Sequence, residues 1–427
     1  MSSLRVPGLG RSAHSLKPSE AITLKLTAMA HGGESLGRHE GKVIFVAGGI
    51  PGEEVVAEIV EDRGRYARAR LVEVVTPSPH RVEHPRCPHF GPCGGCQWQH
   101  IAYEAQLTFK EEVLRNQLAH LGRLPEVPVQ PSLGMTDPWF YRNHVQFHLD
   151  EGGRLGFVGL RGQGVVPIEV CYIMHPLLTE LFGALDLAFP DLERVSLRAG
   201  VNTGERMVIL ETAHDQPPEL AVDLPLSCVL LLRDGTPVSL VGSNTITEEL
   251  GGRAFRISAG SFFQVNTAQA ERVAQTVMDY LDLQGGEVLL DAYCGVGTFG
   301  LLLAPRVGEV IGVEESPQAL ADADHNAGDL ENVTLIEGAV EDVLPQLERV
   351  DLAILDPPRQ GVAAQALDAL VRLGPRKIVY VSCNPATLAR DVGRLAEVGY
   401  RLAEVQPIDM FPQTYHIESV ALLAKRF

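Results

Sequence analysis

The sequence predicts an α/β protein: a doubly wound sheet over the C-terminal part, a small β-barrel at the start, and an irregular α+β region between them. Three observations carry this reading. From residue 266 onward apolar strands alternate with helical segments: EVLLDAY, GTFGLLLA, EVIGVE, a polar helix, NVTLIEG, DLAILDPP, a helix, KIVYVSCNP, a helix and a final pair of strands. Residues 20–76 are instead short strands with turn punctuation: AITLKLT alternates apolar and polar, KVIFVAGGIPGEEVVAEIVED breaks at Gly-Gly and Pro-Gly, and RYARARLVEVV closes a series spaced as in a small barrel. The Pro-rich TPSPHRVEHP marks the boundary that follows.

These signals divide the chain into a barrel at 16–77, a middle domain at 78–265 and the doubly wound domain at 266–427. Within the middle domain HIAYEAQLTFKEEVLRNQLAHLG predicts a helix over 100–121. Its stripe of Leu107, Leu114, Leu118 and Leu121 is expected to face a core, with the C-terminal domain as a candidate packing partner. Residues 125–265 carry strand signals without a motif of their own.

Composition narrows the class. Of 427 residues, 45% are hydrophobic and 21% charged, close to globular averages. Asp291 interrupts the longest apolar run, and MSSLRVPGLGRSAHSLKPSE lacks an apolar signal core, so no membrane association is expected. Seven cysteines, three of them within ten residues, suit a reducing cytoplasm with a metal or catalytic use rather than a disulfide framework. The net charge of −18 argues against indiscriminate nucleic-acid binding. It is unevenly spread: residues 1–150 hold 16 Lys and Arg against 16 Asp and Glu, leaving 20 against 38 for the rest. In RGRYARAR, strand parity puts Arg68 and Arg70 on one face with Tyr66, while Arg63 and Arg65 fall in the preceding turn. Such a face suits a phosphate backbone with a stacked base; a charged edge strand defended against pairing is the competing reading.

In the doubly wound domain the polar motifs fall at strand carboxyl ends, where such sheets bind ligands. Gly295, Gly297 and Gly300 spell G-x-G-x-x-G between a strand and a helix, which alone also fits a nicotinamide dinucleotide. Asp291 just before the glycines would oppose a pyrophosphate but suits the amino-bearing methionine part of S-adenosylmethionine. Glu314 is placed to take ribose hydroxyls, and Asp356 in LDPPRQG is a third acidic strand end, of the kind found in methyltransferases acting on nucleobases. Cys383, in VSCNPATLARD, directly follows a strand and opens a polar loop and a helix start, a setting expected to lower its pKa. A thiolate is needed when the methyl acceptor is a carbon, because uracil C5 becomes nucleophilic only after addition at C6. A base must then remove the C5 proton, and Glu418 in YHIESVALL is the carboxylate expected at an adjacent strand end. An amino-group methyltransferase could use Asp356-Pro357-Pro358 but would not need Cys383; cytosine-C5 enzymes usually carry Pro-Cys where this chain has Pro358-Arg359.

Taken together, FFQVN, DAYCGVGTFGL, DPPRQG, SCNPATLARD and HIESVALL resemble the RNA uracil-5 methyltransferases. The likeness is to the branch with an N-terminal TRAM barrel and an iron-sulfur cluster that modifies 23S ribosomal RNA. The resemblance spans nearly the whole chain and implies a Rossmann-like class I methyltransferase sheet behind a TRAM/OB-like barrel. It implies Cys383 as nucleophile, Glu418 as base, methyl-donor contacts from Gln264, Tyr293, Glu314 and Asp356, and Phe262 against the extruded base. Two positions depart from it: Thr298 stands where some members have Asn, and Ala339 lies near another cofactor-contacting Asn.

Cys87, Cys93 and Cys96 form C-x5-C-x2-C, with Cys171 following in VCYIMHP. Four thiolates can hold zinc or an iron-sulfur cluster. Gly91, Gly94 and Gly95 are expected to leave room for a bulky group, and the resemblance favours a [4Fe-4S] cluster with a structural role; Cys228 and Cys294 read as packing residues. The combined expectation is a cytoplasmic, monomeric enzyme that methylates uracil C5 in RNA from S-adenosyl-L-methionine. Its preferred substrate is 23S rRNA, with tRNA as the alternative. An RNA-binding protein without turnover is the competing class, and the pairing of Cys383 with Glu418 argues against it.

Overall fold

The computed structural model describes residues 16–187, 191–214 and 223–426; residues 1–15, where most of the leader reading falls, lie outside them. The chain forms two compact units, one of residues up to 84 with 100–105, the other of residues 85–99 with 106 onward.

The first unit is a closed five-stranded barrel. Strands β1 (Ala21–Met29), β2 (Ser35–His39), β3 (Lys42–Ala47), β4 (Glu54–Asp62) and β5 (Tyr66–Thr76) run in the order β1-β2-β3-β5-β4, and β1 pairs with β4 to close it. Alternation turns Ile22, Leu24, Leu26, Ile44, Val46, Val55, Ala57, Ile59, Ala67 and Ala69 inward. Strand β2 has no alternating signal of its own. Its Gly37 allows it to lie against a bulge in β1, since a Cβ there would sit 2.3 Å from the Lys25 carbonyl oxygen. Tyr66, Arg68 and Arg70 all face outward, as parity predicts.

Helix α1 (Tyr103–His120) belongs to the second unit from Gln106 onward, where it buries Leu114 and Leu118 among side chains of the doubly wound sheet. The expected stripe is only partly right. Leu107 is half-buried, and Leu121, one residue beyond the helix, is exposed; the inward face is completed instead by Phe109, Val113 and the polar Gln106 and Lys110. Lys110 is tolerated there because its ammonium reaches Asp409 at 2.5 Å and the Phe411 carbonyl at 3.1 Å.

The middle region is a seven-stranded sheet that the sequence did not reveal. It consists of β6 (His144–Leu149), β7 (Leu155–Val158), β8 (Val165–Pro167), β9 (Leu192–Ala199), β10 (Arg206–Thr212), β11 (Ser227–Leu231) and β12 (Pro237–Val241), ordered β12-β11-β10-β9-β6-β7-β8, with α2 (Pro176–Ala184) packed on it. A hairpin of β13 (Thr245–Leu250) and β14 (Arg253–Ser258) follows. The expected boundary at 265/266 does not separate compact units: Met207, Ile209 and Val229 of the middle sheet share one core with the hairpin and the C-terminal sheet.

After α3 (Thr267–Leu281) the chain alternates as predicted: β15 (Val288–Ala292), α4 (Thr298–Leu303), β16 (Glu309–Glu314), α5 (Pro317–Asn326), β17 (Val333–Glu337), α6 (Val340–Val343), β18 (Leu352–Leu355), α7 (Ala364–Leu373), β19 (Lys377–Ser382), α8 (Pro385–Glu397), β20 (Tyr400–Ile408) and β21 (Glu418–Lys425). The sheet order is β17-β16-β15-β18-β19-β21-β20. The first five strands are parallel, and β21 is inserted antiparallel between β19 and β20. The chain direction therefore carries the start of β21 to the same edge as the carboxyl ends of the parallel strands. The order reverses at β15, and ligands bind at such a switch point.

Candidate active site

A cleft of about 1150 Å³ opens at this carboxyl edge. Its first wall is the turn after β15. Tyr293 (φ 65°), Gly295 (φ 56°) and Gly297 (φ 86°) are left-handed, so the chain reverses sharply before α4. A non-glycine residue held there costs of order 1–3 kcal/mol, a strain typical of ligand-binding turns. Tyr293 and Gly295 line the cleft, as does Thr298. Gly297 is absent from the lining; a Cβ on it would meet Leu301 at 2.5 Å, so it serves the turn.

Glu314, at the end of β16, accepts from the Gly295 amide at 2.9 Å and the Ser316 amide at 2.8 Å, which fixes its carboxylate at the cleft wall. Asp291 departs from its expected role. It is 1% exposed and does not line the cleft, and it accepts from the Gly300 amide at 2.7 Å. A strand-end acid can point toward the ligand or brace the turn behind it, and here it braces. Burial pushes its pKa up to about 7, with the charge of Glu314 adding to the rise and the Gly300 bond opposing it.

The FFQVN segment forms the opposite wall. Alternation sends Phe263 into the core and leaves Phe262 69% exposed at the cleft. An aromatic face left open at a cleft is unusual for a side chain that only packs. Gln264 also lines the cleft, and its backbone oxygen is held by Asn143 Nδ2 at 3.0 Å. Ala339 does not reach the lining, whereas its neighbours Val340 and Glu341 do.

The reactive groups sit where β18 and β19 end and antiparallel β21 begins. Ser382 pairs with Ser419, so antiparallel register sets Cys383 opposite Glu418, and both line the cleft with Asp356 and Arg359. Asn384 caps α8 by accepting from the Ala386 amide and ties the loop to the Arg359 carbonyl at 3.0 Å. The expectation of a lowered thiol pKa is overturned. Burial pushes Cys383 up to about 11, with the charges of Glu418 and Asp356 adding and Arg359 opposing. The helix start is already satisfied by Asn384, and two carboxylates outweigh it. Burial likewise drives Glu418 well above the usual carboxylate range and Asp356 to about 7. Arg359, which tempers both Cys383 and Glu418, was missed at the sequence level, as were Arg142 and Phe411 on the same cleft.

The raised carboxyl of Asp356 has a stability consequence. A carboxyl that binds its proton more tightly when folded contributes stability that is complete below its ordinary 3.8 and lost as pH rises to about 7. Asp356→Asn is expected to raise the melting temperature of the ligand-free protein at pH 8 and leave it nearly unchanged at pH 4, as calorimetry at the two pH values would show.

Cys87, Cys93, Cys96 and Cys171 line a second cavity, of about 260 Å³. Burial pushes Cys96 up to about 12 and Cys171 to about 11, with the neighbouring thiols adding to each rise. Among the described residues no three His, Cys, Asp or Glu side chains converge so as to hold one metal ion. Gly94 and Gly95 border this cavity, and Gly94 is needed because a Cβ would meet the Val158 carbonyl oxygen at 2.6 Å. Gly91 does not line it and serves a left-handed turn at φ 103°. Cys228 is buried in the core of the middle sheet, as expected, whereas Cys294, although buried, lines the cleft.

Sheet order and cleft define a Rossmann-like methyltransferase fold. The pattern of the tRNA (Uracil-5-)-methyltransferase family matches residues 241–426, and that of the TRAM domain matches residues 18–72. An uncharacterized RNA methyltransferase of Thermosynechococcus vestitus is 38% identical, covering 94% of this chain and 97% of its own. A like-named protein of Streptomyces avermitilis is 39% identical over 95% and 98%. The crystal structure of Pyrococcus abyssi tRNA (uracil-54, C5)-methyltransferase with S-adenosyl-L-homocysteine superposes with a TM-score of 0.75 at 28% identity, covering 94% of this chain and all of that one. The chain belongs to the RNA uracil-5-methyltransferase family, with a TRAM domain at its N-terminal side.

Proposed function

We propose that this RNA methyltransferase methylates C5 of uracil through a covalent adduct between Cys383 and C6. The observation that carries the reading is the placement of Cys383 and Glu418 opposite each other in one cleft, beside Asp356 and Arg359. The glycine turn and the fixed Glu314 carboxylate fit S-adenosylmethionine, which supplies an electrophilic methyl group when bound. Glu314, Tyr293, Gln264 and Asp356 would hold it.

Phe262 offers its exposed ring to the flipped base. The Cys383 sulfur adds at C6 as its proton leaves to solvent, the C4 oxygen takes the negative charge, and C5 becomes nucleophilic. Once C5 carries the methyl group, Glu418, its own proton first lost to solvent, removes the C5 proton as a carboxylate. The freed electron pair restores the C5–C6 double bond and expels the Cys383 thiolate. Arg359 is the cation that opposes the raised pKa values of Cys383 and Glu418.

The TRAM domain together with the four-cysteine cavity supports 23S rRNA as substrate. The likeness to the Pyrococcus abyssi tRNA enzyme favours tRNA as the second reading. Mapping 5-methyluridine in both RNAs from cells with and without the protein decides between them: loss confined to 23S rRNA supports the first, loss confined to tRNA the second.

Two further outcomes are expected. On the barrel, Arg68 and Arg70 follow exposed Tyr66 on the outer face of β5, with Arg68 also 5.9 Å from the Phe45 ring centre; they pair with Glu34 at 2.6 Å and Glu58 at 3.0 Å. If they exchange these acids for phosphates, replacing both by Ala should weaken RNA binding and flatten the plot of log affinity against log salt by about 0.7 per lost contact to a single strand. For the four cysteines, the shared cavity and the spacing support a [4Fe-4S] cluster. Anaerobically purified protein should then be brown and hold about four irons per chain, and Ser at any of the four should lower soluble yield. Zinc without iron in that material would overturn the cluster.

A further inference from the structure

Outside the cleft, three aromatic rings gather around one exposed guanidinium. Arg86 Cζ lies 4.5 Å from the ring centre of Tyr172, 5.0 Å from that of Phe140 and 5.3 Å from that of Trp139. Trp139 and Phe140 each meet Tyr172 edge-on. The rings are half-buried and belong to none of the hydrophobic cores among the described residues. Phe140 is held at φ 53°, a backbone conformation that bulky side chains rarely adopt. The segment is fixed to the turn after Cys171 by the Phe140 amide on the Tyr172 carbonyl at 2.9 Å and the Arg142 amide on the Ile173 carbonyl at 2.8 Å.

Position gives this cluster its meaning. Arg142 lines both the catalytic cleft and the cysteine cavity. A chain advances at most about 3.3–3.6 Å per residue, so the Phe140 backbone stands no more than about 7 Å from that of Arg142. RNA bound in the cleft against Arg142 would lie two residues along the chain from the Phe140 ring. A chain of net charge −18 must hold RNA through local cations. The barrel arginines Arg68 and Arg70 face carboxylates, whereas Arg86 lies against aromatic faces. Aromatic rings and guanidinium planes are the surfaces on which unpaired bases stack.

We propose that Arg86, Trp139, Phe140 and Tyr172 form a second RNA contact, a platform that stacks an unpaired base flanking the target uridine. The proposal rests on reading the cleft as the site of RNA uracil methylation. It assigns the cluster a part in substrate grip, in contrast to a purely structural clasp between the cysteine loop and its neighbours.

The chain has two tryptophans, and Trp98 is 1% exposed, so Trp139 is the accessible fluorophore. Single-stranded oligouridylate added to the full-length protein should quench tryptophan emission, and Trp139→Phe should remove that quench. Arg86→Ala and Trp139→Ala should each raise the KM for RNA lacking the modification about 5- to 150-fold, the usual worth of one stacked base, with a far smaller change in kcat. Affinity for S-adenosylhomocysteine, the control for folding, should hold. An unchanged KM with no quench at Trp139 overturns the platform. So does a parallel loss of S-adenosylhomocysteine affinity and melting temperature in both variants, which identifies a clasp. Wild-type protein that forms no 5-methyluridine on any RNA would instead overturn the reading of the cleft.

Discussion

Cys383→Ala is expected to abolish methyl transfer, with a loss of at least about 10⁴-fold in single-turnover rate, because removing a nucleophile removes the whole covalent path rather than one contribution to it. The side chain is half-buried and its loop is held by the Asn384 side-chain amide, which donates to the Arg359 carbonyl and caps α8, contacts that Ala at position 383 leaves intact. Melting temperature and donor binding should therefore stay near wild type. The substitution also removes a thiol whose pKa stands near 11, so the charge state of the cleft at neutral pH is little altered. A Cys383→Ala protein that binds RNA and donor normally yet makes no 5-methyluridine would locate the defect in chemistry.

Glu418→Gln is expected to give the opposite partition. Glu418 is 5% exposed and the glutamine amide matches its carboxyl in size and shape, so the packing around it should be kept. Addition at C6 and transfer to C5 do not call on it, whereas removal of the C5 proton does. Loss of a positioned base typically costs about 10²–10⁴-fold. The variant should accumulate a protein–RNA species resistant to denaturing electrophoresis while free product falls by that factor. Equal loss of adduct and product would move Glu418 from the base role to an earlier step.

The parts of the fold that could be read from sequence are those whose pattern is local. Parallel strands buried on both faces, such as KIVYVS and DLAIL, are near-continuous apolar runs, and the helices between them are amphipathic, so the doubly wound sheet is visible from residue 266 onward. The barrel strands with one buried face alternate cleanly, whereas β2, bent around Gly37, does not. The seven-stranded middle sheet stayed hidden because its order is non-local: β6 pairs with β9 across α2, and β10 pairs with β11 in parallel.

The site divides in the same way. Cys383, Glu418, Glu314 and Asp356 were legible as polar residues at apolar strand ends, and all four line the cleft. Asp291 shows the same local pattern but turns inward to the Gly300 amide, a choice that depends on the turn rather than the strand. The direction of the Cys383 shift was illegible because its causes, burial and the charges of Glu418 and Asp356, come from segments that only the folded sheet brings together.

The most direct test of the covalent mechanism is to react the wild-type protein with S-adenosylmethionine and a substrate RNA carrying 5-fluorouridine at the target. Glu418 can take a proton from C5 but not fluorine, so a denaturation-stable complex is expected. Digestion and mass spectrometry should place one methylated 5-fluorouracil on the peptide containing Cys383. Release of methylated RNA without any covalent species, together with 5-methyluridine made from ordinary RNA by Cys383→Ala at an appreciable rate, would contradict it.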